Sequence, residues 1–81
     1  MTPDEYREAI KRLGLSQPKA AALLGVHSVT SRRWASDSRE IPPTVERFLR
    51  LVIALRLTPA QVEDWIASVD LTPATGDPER F

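Results

Sequence analysis

SQPKAAALLGVHSVTSRRW, residues 16–34, is the stretch that decides the fold. Ser16 suits an N-cap and Pro18 is tolerated in a first helical turn, so a short helix is expected from here to Leu24. Ala20, Ala21 and Ala22 make that helix slim enough for a neighbour to cross closely. Gly25 stops it after about two turns. A second short helix follows three residues later, capped by His27 or Ser28 and ending near Trp34-Ala35. At about 100° per residue, Ser28, Val29, Arg32 and Arg33 share one arc of about 140°. Thr30, Ser31 and Trp34 face the other way.

Upstream, Thr2-Pro3-Asp4-Glu5 has a cap, a proline for the first helical position and a capping-box carboxylate. Tyr6, Ile10 and Leu13 then recur at helical spacing, and Gly14 closes the helix with positive φ. Downstream, Ser36–Glu40 is a polar loop. Pro42-Pro43 opens a fourth helix reaching about Leu55, with Val45, Phe48, Leu49, Val52 and Leu55 as its stripe. Leu51 and Ile53 add apolar surface, which suggests cover on more than one side. Thr58-Pro59-Ala60-Gln61 repeats the capping device and starts a fifth helix with Val62, Trp65, Ile66 and Val69. No alternating strand pattern occurs. The expectation is an all-α fold of five short helices, with a domain over residues 1–69 and a flexible tail over 70–81.

Two short helices joined by a glycine turn, the second polar along one side, form a helix-turn-helix. An α-helix fits the DNA major groove, where each base pair shows a distinct pattern of donors and acceptors. The planar fork of arginine matches guanine O6 and N7, which makes Arg32 and Arg33 the leading base readers. Ser28 is an adaptable contact, and Val29 can pack on a thymine methyl. Gln17, Lys19, His27, Ser36, Ser38 and Arg39 are candidates for phosphate, setting register rather than sequence. An arginine pair on a surface helix is ordinarily just a solvated face. The motif around this pair sets it apart.

The spacing of Gln17, Ala21, Gly25 and Trp34 resembles the Cro-type (XRE-type) helix-turn-helix repressors of phages and bacteria. The resemblance runs from about Asp4 to Ile66. It implies a lambda-repressor-like five-helix domain in which the alanine permits close crossing, the glycine forms the turn and the aromatic packs under the recognition helix. One position departs from the pattern. The family usually has Ile or Val six residues after the turn glycine, and this chain has Ser31. Pointing inward, Ser31 is expected to bond a backbone carbonyl while Trp34 supplies the missing volume.

Composition bounds the alternatives. An 81-residue chain amounts to one small domain. It has no cysteine and a single histidine, His27, which argues against disulfides, thiolate metal sites and a histidine cluster. No apolar run approaches the ~20 residues of a membrane span, and no signal peptide is visible, so a cytoplasmic setting is expected. No Ser-His-Asp set, glycine-rich phosphate loop or metal ligand set is present, so neither catalysis nor a cofactor is expected. Glu63 and Asp64 look like a solvated helix face. The eleven basic and eleven acidic residues cancel overall, yet residues 1–39 hold seven of the former against four of the latter, a balance of +3. The remainder carries −3, so one basic face can meet phosphate.

These readings converge on a dimeric, sequence-specific DNA-binding regulator that recognises an inverted repeat in double-stranded DNA. A repressor of its own phage or mobile-element operon fits the size, as in anti-CRISPR-associated regulators. Recognition helices about 34 Å apart require a subunit contact beyond the third helix. Leu55, Leu57, Val62, Trp65 and Ile66 are the candidates, with Trp65 either an interface anchor or tertiary core. Two rivals keep the fold: an antitoxin gripping a toxin or other protein partner, and a protein-interaction module without DNA binding.

Overall fold

The computed structural model describes residues 1–73. They form five helices: α1 (Pro3–Arg12), α2 (Gln17–Leu24), α3 (Ser28–Ala35), α4 (Pro43–Ala54) and α5 (Pro59–Ser68). No strand occurs among the described residues. Of the expected tail, residues 70–73 are exposed and non-helical, and Asp70 Oδ1 accepts a bond from the Thr72 amide at 2.8 Å. Residues 74–81 lie outside the described residues.

The helix starts follow local chemistry. Thr2 and Glu5 exchange bonds across the first turn of α1, and Thr58 and Gln61 do the same at α5. Each pair satisfies two backbone donors that the first turn leaves free. Ser16 accepts from the Lys19 amide at the start of α2. Pro3, Pro43 and Pro59 each hold the first position of a helix, where the missing N–H costs nothing.

The helix ends hold a surprise. Gly14 and Gly25 take the expected left-handed conformation, with φ of 68° and 71°. Asp37 and Arg56 do so too, at 63° and 54°, and neither is glycine. In both places the following amide reaches back over the last turn, Ser38 to the Arg33 carbonyl at 2.9 Å and Leu57 to the Val52 carbonyl at 3.1 Å. That bond satisfies a terminal carbonyl and holds the turn closed. A side chain with a Cβ pays about 1 kcal/mol or more for this conformation. Arg56→Gly is therefore expected to stabilise the fold by about 1 kcal/mol, raising the thermal midpoint by about 4–8 °C. A melt that moves down instead would show that Arg56 contributes contacts outweighing its strain.

One core lies between α1, α3 and α4. Tyr6, Ala9 and Ile10 of α1 meet Trp34 and Ala35 of α3, Leu49 of α4 and Ala20 of α2. A smaller cluster joins Leu23, Val52 and Val62, which is how α5 docks. Ala20 and Ala21 are buried as a slim crossing requires, whereas Ala22 faces solvent. α4 is covered on two sides, with Leu49, Val45 and Ile53 packed into the first cluster and Val52 and Phe48 into the second, while Leu51 remains 58% exposed.

Candidate nucleic-acid interface

The turn between α2 and α3 is built from Gly25, Val26 and His27. With Gly25 left-handed, the Val26 amide donates to the Ala21 carbonyl at 2.9 Å. His27 is the N-cap of α3, settling the choice between it and Ser28. It caps with its backbone, since its carbonyl accepts from the Thr30 and Ser31 amides while the imidazole makes no capping bond. The exposed ring is left available.

Along α3 the two faces separate as the helical wheel requires. Val29, Arg32 and Arg33 are exposed and Ser28 is half-buried. On the reverse, Ser31, Trp34 and Ala35 are buried and Thr30 is half-buried. Three contacts from α1 brace that reverse face. The Tyr6 ring meets Trp34 edge-on with centroids 5.7 Å apart, a favoured aromatic geometry. The Tyr6 hydroxyl lies 2.6 Å from Ser31 Oγ. Arg7 donates to the Ala35 carbonyl, placing a cation where the α3 dipole is negative. Trp34 Nε1 has no hydrogen-bond partner among the described residues, so packing alone holds the indole.

The expected partner of Ser31 is corrected. Its hydroxyl bonds Tyr6 on one side and donates to Gln17 Oε1 at 2.7 Å on the other, rather than to a backbone carbonyl. Two polar side chains from other helices offered better geometry than the turn behind it, whose carbonyls serve the helix ladder. Gln17, a phosphate candidate from sequence, is thereby tied to the back of α3. Among the other phosphate candidates, Lys19, Ser36, Ser38 and Arg39 are exposed. Ser36 and Ser38 hydroxyls lie 3.0 Å apart just past the end of α3. No side-chain bond joins Lys19 or Arg39 to this cluster.

Among the described residues, no acidic side chain pairs with the cations of the α3 face. Acids pair with Arg7 and Arg12 on α1 and with Arg50 on α4, while Glu46 also meets the N-terminal ammonium. Among the described residues, Lys19, Arg32, Arg33 and Arg39 take part in no ion pair. Their charge is available to an external anion.

Burial of the Tyr6 phenol pushes its pKa above the ordinary 10.0. The folded state thus favours the neutral phenol. Tyr6 contributes that stability in full below about pH 10, and it is lost as pH rises through the raised folded value. Because Tyr6 is the sole tyrosine of the chain, tyrosinate absorbance should titrate with a midpoint above 10 in the native protein. Urea should return it to the ordinary value. A native midpoint at or below the unfolded one would contradict the buried placement.

The five expected interface residues divide. Leu55, Trp65 and Ile66 are 56%, 58% and 50% exposed, which removes Trp65 from the core. Val62 is a correction: it is buried against Leu23 and Val52. Leu57 is half-buried against the same cluster. Val62 occupies the centre of the α5 stripe, and one short helix can bury only that centre in so small a core. Sequence reasoning left Leu51, Val69 and Leu71 off this surface, although all three are exposed. On the α4 wheel Leu51 lies about 40° beyond Leu55, on the side away from Phe48.

Two grooves open away from the α3 face. One, of about 730 Å³, runs between α1 and α4 over Ala9, Leu49 and Ile53. The other, of about 330 Å³, lies between Leu23, Phe48 and Ile66. Among the described residues no three histidine or acidic side chains gather as a metal site needs, and no helix is long and apolar enough to cross a membrane. Compared with protein-family models, curated proteins and solved structures, the chain matches none.

Proposed function

We propose that this chain is a non-enzymatic, sequence-specific DNA-binding transcriptional regulator. In it α2 and α3 act as a helix-turn-helix within a lambda-repressor-like domain. The observation that carries this proposal is the division of α3. Arg32 and Arg33 stand exposed and, among the described residues, free of ion pairs, while Tyr6, Arg7 and Trp34 hold the opposite face of the helix. A rigid helix presenting unpaired guanidinium forks suits base edges in a major groove, because both donors of each fork arrive in fixed geometry. Lys19, Arg39 and the Gln17 amide would set the register on phosphate.

The proposed acting form is a homodimer on an inverted repeat, joined through the apolar surface of α4 and α5, and its proposed role is repression of its own operon. The same surface favours one second reading, an antitoxin that covers Leu55, Trp65 and Ile66 with a toxin. Sedimentation of the isolated chain separates them, since only the first makes a dimer without a partner.

A mobility-shift titration on duplex DNA from upstream of the gene tests DNA binding directly. The four cations of the α3 face that form no ion pair among the described residues, Lys19, Arg32, Arg33 and Arg39, would give a dimer a log–log salt slope no steeper than roughly −7. Absence of binding at low salt would overturn the proposal, and a slope near zero would exclude phosphate neutralisation as its basis.

A further inference from the structure

A directional chain of hydrogen bonds runs from α1 through α3 to α2. Gln17 Oε1 can only accept, so the 2.7 Å contact uses the one proton of the Ser31 hydroxyl. Ser31 Oγ must then accept at its 2.6 Å contact with Tyr6, and the phenol is the donor. The order is Tyr6 O–H to Ser31 Oγ, then Ser31 O–H to Gln17 Oε1. Tyr6 and Ser31 are both wholly buried, at 0% exposure, and among the described residues no other side-chain bond to the phenol is present.

That order leaves one orientation for the Gln17 amide. If the amide were flipped, Nε2 would donate to Ser31 Oγ. Ser31 Oγ, with two lone pairs, could accept from both Nε2 and the phenol, but its own proton would then be left buried with no side-chain acceptor. An unpaired donor in a sealed core is strongly disfavoured, so the Ser31 proton selects the unflipped state, while Tyr6 holds that hydroxyl by donating to its oxygen. Gln17 Oε1 faces inward, and Nε2, which has no partner among the described residues, remains accessible to solvent.

We infer that Tyr6 and Ser31 are positioning residues which lock the Gln17 side chain with its N–H groups outward, as a preset donor for a DNA phosphate oxygen. This rests on the DNA-binding reading above. The lock supplies two things that a free glutamine lacks. It removes the rotamer entropy of a long side chain before binding, and it keeps the amide oxygen, which phosphate would repel, turned away. A neutral amide releases no counterion, so its contribution is independent of salt and of base sequence.

The test combines a measurement without DNA and one with it. The chain has two glutamines, Gln17 and Gln61, and no asparagine, so its side-chain amide spectrum holds two pairs of resonances. In the free protein, Ser31→Ala should make the Gln17 amide mobile on the picosecond–nanosecond scale by ¹⁵N relaxation, with Gln61 unchanged. On a mixed-sequence DNA duplex at a temperature where both proteins are folded, Ser31→Ala should weaken binding by about threefold to tenfold per subunit. The salt slope should be unaltered, and Ser31→Ala should add nothing in a Gln17→Ala background. Tyr6→Phe, which keeps the ring and the Ser31–Gln17 bond but removes the donor that fixes the Ser31 rotor, should cost less than Ser31→Ala, no more than about twofold.

A Gln17 amide that stays rigid in Ser31→Ala overturns the lock. So does a mobile amide with unchanged DNA affinity. A changed salt slope would mean that α3 itself had shifted, which also overturns it. If the unaltered protein fails to bind duplex DNA, the DNA-binding reading falls, and the phosphate role of Gln17 with it.

Discussion

Replacing Trp65 with alanine is expected to convert the proposed dimer into monomers that remain folded. Trp65 is 58% exposed on α5, and Leu55, Ile66 and Val69 are exposed as well, so little of the monomer core depends on it. In a two-fold interface the residue appears twice, once from each subunit. A central aromatic anchor typically costs about 2 kcal/mol or more when truncated. Two copies would weaken dimerisation by about 4 kcal/mol, roughly a thousandfold. Operator affinity should fall with it, because each half-site would then be bound separately. Leu55→Arg should act likewise by placing a charge on the same surface. Leu57→Arg is a poorer probe, since Leu57 packs against the Val52–Val62 cluster and its loss would unsettle the monomer. Sedimentation equilibrium and circular dichroism together decide the matter. A Trp65→Ala protein that remains dimeric would place the subunit contact elsewhere, and one that loses its helices would show that the docking of α5 depends on the indole.

Arg33→Ala is expected to lower operator affinity by about 1–3 kcal/mol per half-site, and so by about 2–6 kcal/mol for a dimer. At the upper end that is on the order of ten-thousandfold. The loss should concentrate at one position of each half-site, most simply a G·C pair, because the guanidinium fork pairs with guanine O6 and N7. Arg32 lies about 100° away around α3 and is the second choice, with phosphate as its alternative target. Arg39→Ala is the contrast: it should weaken every sequence alike and lower the salt slope by about one per subunit. If Arg33→Ala weakened operator and scrambled DNA equally, Arg33 would be a phosphate ligand and base reading would pass to Arg32.

What the sequence alone could determine is governed by short-range chemistry. Capping boxes at Thr2-Glu5 and Thr58-Gln61, the Ser16 cap and the left-handed Gly14 and Gly25 all depend on groups within a few residues of each other. These signals therefore delimited five helices. The faces of α3 were equally legible, because a helical wheel needs only the angle between residues. The left-handed turn at Arg56 carried no such mark, and Asp37 only a weak one, since aspartate adopts that conformation more readily than most residues but far less than glycine. The bond from the following amide back over the last turn holds each of them.

The partners of Ser31 lay out of reach. Tyr6 is 25 residues from it and Gln17 is 14, so only the docking of α1, α2 and α3 brings the three hydroxyl and amide groups together. Likewise α5 shows an apolar stripe whose members look alike in sequence. Val62 went to the core while Trp65, Ile66 and Val69 stayed outside, because α5 meets the rest of the chain along a single narrow seam through Leu23 and Val52. Periodicity tells which residues share a face. How much of that face finds cover depends on how much surface the neighbouring helices have left to offer, and this is settled only when the whole chain has packed.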